Sequence, residues 1–133
     1  MTESILLEIA IKIESVTEIH SGGKSICLVC FGGNASSRFF KGTVMPGAAD
    51  MQIHNKNKPT ALSARYILDG VDCENNKCKI FIEDNGMENG GEIITKPFIV
   101  TDSPALKWLE DADLYGRVIS ENDNLIIRIC REE

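Results

Sequence analysis

An all-β fold is predicted: a single β-barrel of about eight mostly antiparallel strands with one short helix, covering residues 1–133 as one domain. Three observations predict it. Ile5, Leu7, Ile9, Ile11 and Ile13 alternate with Leu6, Glu8, Ala10, Lys12 and Glu14, the period of a strand with one buried face. Turn signals recur at short intervals along the chain, as in sandwiches and barrels. Only one stretch reads as a helix. Strands in that number close around a narrow interior, wide enough for side chains or one small ligand.

The elements follow in order. After the first strand, His20-Ser21-Gly22-Gly23 reads as a turn. Ser25 to Phe31 is a second strand, apolar on both faces, ended by Gly32-Gly33-Asn34. Arg38 to Met45 is a third, and Gly42 in its middle marks a bulge, a bend or a close backbone approach. Pro46 to Asp50 turns the chain, and Asn55 to Pro59 is a polar loop. Ala61 to Leu68 and Lys77 to Glu83 are strands four and five, with Asp69-Gly70 after the first and Asp84-Asn85-Gly86 as a turn after the second. Asn89-Gly90-Gly91 is another turn. Glu92 to Val100 is the sixth strand, where Pro97 suggests an edge or a bulge. Ser103 to Glu110 is the helical stretch, with Asp102 or Ser103 as its cap and Pro104 in its first turn. Leu114 to Ser120 and Asn124 to Arg131 complete the set, joined by Glu121-Asn122-Asp123.

Composition narrows the function. The net charge is −6, and the basic residues are scattered among acids. Nucleic-acid binding needs a basic face, so none is expected. An anionic membrane surface would repel the chain, and no run is long and apolar enough to span a bilayer. The start lacks the positive region of a secretory signal, so the expected address is the cytoplasm, as a soluble protein. Five cysteines, an odd number, suit reduced thiols there. Cys27-x-x-Cys30 has the spacing of half a metal site, but residues three apart in a strand point to opposite faces. No metal and no cofactor are expected. The glycine pairs lack the spacing of a P-loop or a dinucleotide fingerprint, and no Gly-x-Ser-x-Gly elbow occurs.

Several segments resemble a known family. Phe39 to Asp50 resembles the "G-x-V-x-P-G-G-x-D" signature of the family catalogued as domain of unknown function 3237, also called uncharacterised protein family 0311. Leu62-Ser63-Ala64-Arg65-Tyr66 resembles its "L-D-A-R-Y" strand. Lys79 to Gly86 resembles its "I-x-V-x-N-x-G" strand and turn, and Trp108-Leu109 its "W-L-N" helix. Ala48, Met51 and Glu110 depart from the usual glycine, tryptophan and asparagine, which bears on pocket shape more than on fold. The resemblance implies a barrel similar in outline to the allene oxide cyclase and dirigent barrels, which are cofactor-free and shape small molecules in an apolar cavity. It implies no assigned activity.

Five residues are candidates for ligand binding: Asp50, Arg65, Glu83, His54 and Tyr66. Arg65 alternates with the apolar face formed by Leu62, Ala64, Tyr66 and Leu68. If that face packs outside, Arg65 points into the barrel, where a buried charge requires a partner and Asp50 is the natural one. A structural ion pair is the plainer reading. Glu83 could move a proton if burial raised its pKa, although a glutamate at a strand end is more often solvated. His54 could overhang the barrel mouth. Tyr66 or Tyr115 could donate to a ligand carbonyl, with core packing as the plainer role. Trp108 with Leu109 would plug one end.

Three functions fit these features. The first is a barrel that binds a small, largely apolar molecule. The second is a cofactor-independent isomerase or cyclase acting on a small carbonyl or anionic metabolite. The third is an interaction domain whose barrel is filled, for instance by Phe39, Phe81 and Phe98. A homodimer through an exposed strand edge is a further expectation.

Overall fold

A computed structural model describes residues 3–122 and 124–132. Among them, nine strands form one antiparallel sheet: β1 (Glu3–Ser21), β2 (Lys24–Ser36), β3 (Phe40–Val44), β4 (Ala49–Asn55), β5 (Ala61–Asp72), β6 (Lys77–Asn89), β7 (Glu92–Thr101), β8 (Tyr115–Glu121) and β9 (Asn124–Glu132). A 3₁₀ helix spans Pro104–Glu110. The strand order β1-β9-β8-β7-β6-β5-β3-β2-β4 closes into a ring through the β1–β2 and β5–β4 pairings. β3 and β4 share one place in that ring. β3 pairs with Asn34 to Ser36 of β2 and Leu68 to Asp72 of β5. β4 pairs with the earlier residues of both, Lys24 to Cys30 and Ala61 to Arg65. The ring is thus a barrel, as expected.

The strands run longer than their turn signals suggest. β2 continues through Gly32-Gly33-Asn34, β5 through Asp69-Gly70, and β6 through Asp84-Asn85-Gly86. The reversal after β6 comes at Gly90 and Gly91, both at positive φ. A two-residue hairpin turn of that kind is one that glycines adopt without steric cost. Asn85-Gly86 lies in the ladder instead, opposite Lys96 and Thr95. There a Cβ on residue 86 would stand 2.3 Å from the Ile94 carbonyl oxygen. Gly42 likewise marks a close approach, directly across from Gly70. β4 is the strand the local signals hid, because it begins inside the Pro46–Asp50 turn. Asp123, in the turn expected between the last two strands, lies outside the described residues.

One end of the barrel is filled. Leu106 and Leu109 of the 3₁₀ helix are buried, and Trp108 packs edge-on against Phe39 with ring centroids 5.3 Å apart. Ser103 sits at the N-cap without capping: its hydroxyl donates to Asp72 (2.7 Å). Asp102 accepts from the Lys79 backbone N–H (2.8 Å). Below the plug, Leu6, Phe40, Leu68, Ile80, Ile82 and Ile129 form the core. β8 pairs with β7 only from Ile93 to Thr95, so Pro97 stands on a free edge. Phe39 belongs to the plug, while Phe81 and Phe98 pair on the outer wall, Phe98 being 59% exposed. None of the three fills the opposite half of the interior. Among the described residues no helix is long and apolar enough to cross a membrane.

Candidate functional site

Three consecutive cross-strand partners build the site. Asp50 on β4 lies opposite Ala64 on β5, and Ala64 lies opposite Asp84 on β6. Residues in one such row share a face of the sheet. Strand spacing puts the two aspartate backbones about 9–10 Å apart along the row. Asp50, Ala64 and Asp84 all line the same cavity, with the small Ala64 side chain on the strand between the two acids. On the same face lie Phe31, Tyr66 and Ile82, and β7 contributes Thr95.

These groups form the polar pole of a cavity of about 100 Å³ in the unplugged half of the barrel. Apart from Gln52, its remaining walls are apolar, chiefly Ile11, Ile13, Val29, Leu62, Ile93 and Ile127. Ile13 is 53% exposed, which sets the mouth at that side. No basic side chain lines the cavity among the described residues. An apolar cavity of about 150 Å³ takes benzene, so this one encloses a group of a few heavy atoms and a larger molecule would extend through the mouth.

Asp84 is 3% exposed. It accepts from the Tyr66 hydroxyl (2.8 Å) and the Thr95 hydroxyl (3.0 Å). Burial pushes its pKa above the usual carboxylate value; the two hydroxyls offset part of that, and the negative charge of Asp50 adds to it. Burial also raises Asp50, against weaker opposing effects from the Gln52 side chain and the Ser63 backbone N–H. The Gln52 amide donates to Asp50 Oδ2 (3.0 Å), whereas Oδ1 is buried with no hydrogen-bond partner. Burying such an oxygen unpartnered is costly. The arrangement can therefore accept a hydrogen bond from a guest, or give and take a proton at a pH above the usual carboxylate range. Among the described residues no three His, Cys, Asp or Glu side chains converge on one point.

The structure sorts the expected residues. Asp50 and Tyr66 face the interior. Arg65 does not join Asp50. It lies opposite Ala49, on the outer face, and its Nε sits 2.7 Å from a carboxylate oxygen of Glu83. The reason is parity: Ala64 and Tyr66 face inward, so the residue between them must face outward. The apolar face of β5 thus lines the barrel instead of covering it. Glu83 is outside for the same reason, one residue before Asp84. His54 is exposed at the far end of β4, hydrogen-bonded to the Thr60 hydroxyl (3.1 Å). Cys27 and Cys30 stand opposite Gln52 and Ala49, on inner and outer faces respectively, and all five cysteines are free. Asp84, Gln52 and Thr95 are site residues that local reading missed. Asp84 was hidden in an apparent Asp-Asn-Gly turn, yet it continues the inward parity of Ile80 and Ile82.

Solved structures share this barrel. A protein of unknown function from Clostridium acetobutylicum superposes with a TM-score of 0.81 at 23% identity, covering 100% of both chains. A beta-barrel like protein from Acinetobacter baumannii superposes at 0.80 and 16% identity, over 97% of this chain and 94% of that one. An enzyme from Penicillium herquei superposes at 0.73 and 14% identity, over 96% and 93%. At these identities the likeness concerns the fold. No curated protein matches the chain. A family model matches residues 2–92, more than half of the sequence and including the Asp50–Ala64–Asp84 row. The chain belongs to the family described as protein of unknown function DUF3237.

Proposed function

We propose that this barrel binds one small, largely apolar molecule, held at its polar end by Asp50. The observation that carries the reading is the unpartnered Asp50 Oδ1 at the floor of an apolar cavity. Apolar walls with a few convergent polar groups are the usual form of small-molecule sites. A guest bearing a hydroxyl or an amine supplies the missing donor, and its hydrocarbon part covers Ile11, Val29 and Ile127. A guest bearing a carboxylate would face two acids and no cation, which disfavours anionic ligands. The free thiols suit work in the reducing cytoplasm.

Native mass spectrometry of the full chain, purified gently from its own host, tests the reading. A retained small-molecule adduct is expected, and Ala64→Leu, which fills the cavity between the carboxyls, should abolish it. An adduct unchanged in that variant, or none in either protein, would overturn the proposal.

A second reading is favoured by the raised pKa values. Asp50 and Asp84 stand where an acid–base pair could shift a proton on a bound neutral molecule, as a cofactor-independent isomerase or cyclase does. Its support is the same pair of carboxyls, and a rate that falls at least about a hundredfold in Asp50→Asn would be its mark.

A further inference from the structure

We infer that the guest is a cation: a small hydrophobic amine whose ammonium group docks between Asp50 and Asp84. The inference rests on the binding reading above and names the class of ligand. Three features of the cavity carry it. Two carboxyls, one strand to either side of Ala64, reach the same enclosed space. No basic side chain lines that space among the described residues. Asp84 already accepts from two hydroxyls, whereas Asp50 keeps one buried oxygen unpartnered.

Charge balance separates an ammonium from a neutral donor. A hydroxyl would satisfy Asp50 Oδ1 but leave the mutual repulsion of the two acids, which line one cavity, uncompensated. An ammonium carries three donors and a full positive charge, so it satisfies the orphaned oxygen and relieves that repulsion together. Close charge pairs of this kind are worth more than neutral hydrogen bonds when desolvated. A bound cation would favour the ionised carboxylates and so oppose the rise in pKa that burial causes. A bare divalent metal fits less well. Calcium wants six to eight oxygens and magnesium a near-ideal octahedron, whereas beyond the two carboxyls the lining offers only Gln52 and Thr95, both already hydrogen-bonded to those carboxyls. The apolar walls call for a hydrocarbon behind the charge, and about 100 Å³ limits its enclosed part to a few carbons.

The test uses two probes of equal size, cyclopentylamine as its hydrochloride and cyclopentanol. Each is titrated into the intact chain at the same neutral pH and salt, and the methyl resonances of Ile11, Val29 and Ile127 are followed by NMR. The amine is expected to bind about tenfold or more tighter than the alcohol. Asp50→Asn should weaken the amine by about tenfold while leaving the alcohol within about threefold. Equal affinities in the parent protein would overturn the cation assignment and leave the cavity reading standing. Amine binding unchanged in a folded Asp50→Asn would overturn it as well. Failure of both probes to shift these methyls would remove the cavity reading itself. Should Asp50→Asn not fold, the amine-to-alcohol ratio in the parent protein still decides.

Discussion

Replacing Tyr66 with phenylalanine tests the electrostatics of the barrel interior. Tyr66 is 2% exposed, and its ring meets Phe31 edge-on with centroids 5.6 Å apart. The substitution keeps that packing and removes the hydroxyl that donates to Asp84 across 2.8 Å. A buried hydrogen bond to a charged group contributes about 1.5–3 kcal/mol, and one to a neutral group about 0.5–1.5 kcal/mol. With a urea slope of about 1.5 kcal/mol/M, the charged case lowers the unfolding midpoint by about 1–2 M. The size of the loss depends on pH. The folded-state pKa values of Asp50 and Asp84 are raised above the ordinary 3.8. The folded protein therefore binds more protons than the unfolded chain just above that value, and its stability falls as pH rises through the two folded-state pKa values. Losing the Tyr66 hydroxyl raises Asp84 further, since that bond favours the ionised form. Tyr66→Phe should thus cost more at pH 8 than at pH 4. Urea denaturation at both values, with Asp84→Asn as a control that flattens the pH slope, reads this directly. Equal losses at the two pH values, or a loss below about 0.5 kcal/mol at pH 8, would refute the reasoning.

Two further substitutions examine how the strands position the site. A Cβ on Gly116 would stand 2.2 Å from Thr95 Oγ1 and 3.3 Å from Asp84 Oδ1, so Gly116→Ala should break the Thr95–Asp84 bond and cost about 1–3 kcal/mol by thermal unfolding. Arg65→Ala removes an ion pair whose arginine side chain is 70% exposed. It should change stability by no more than about 1 kcal/mol and leave cyclopentylamine affinity unaltered.

The family signature Pro46 to Asp50 ends on a residue that the structure places in the cavity lining. Chemistry makes Asp50 the natural counter-charge for an inward Arg65, and it faces the interior although Arg65 does not. Its partner was not legible. Arg65 was the obvious counter-charge by chemistry, but chemistry does not say which way a strand residue points. Asp84 had the opposite problem: Asp-Asn-Gly is a strong turn signal, and only the longer run of Ile80, Ile82 and Asp84 places it on the inner face. Glu83, one residue away, is the candidate that local reading selects, and parity puts it outside with Arg65 while Asp84 lines the cavity.

What the sequence determined by itself is the class of fold. Alternation in β1, frequent glycine turns and a single short helix leave little besides a barrel or a sandwich, because hydrophobic period and turn chemistry act locally. The tertiary structure decided everything that depends on register. Ring closure chose which face of β5 looks inward, set Ala64 between Asp50 and Asp84, and left Asp50 Oδ1 without a partner. A shift of one residue in strand pairing exchanges the two faces of a strand. Local sequence specifies the alternation, while the assembled sheet specifies its phase.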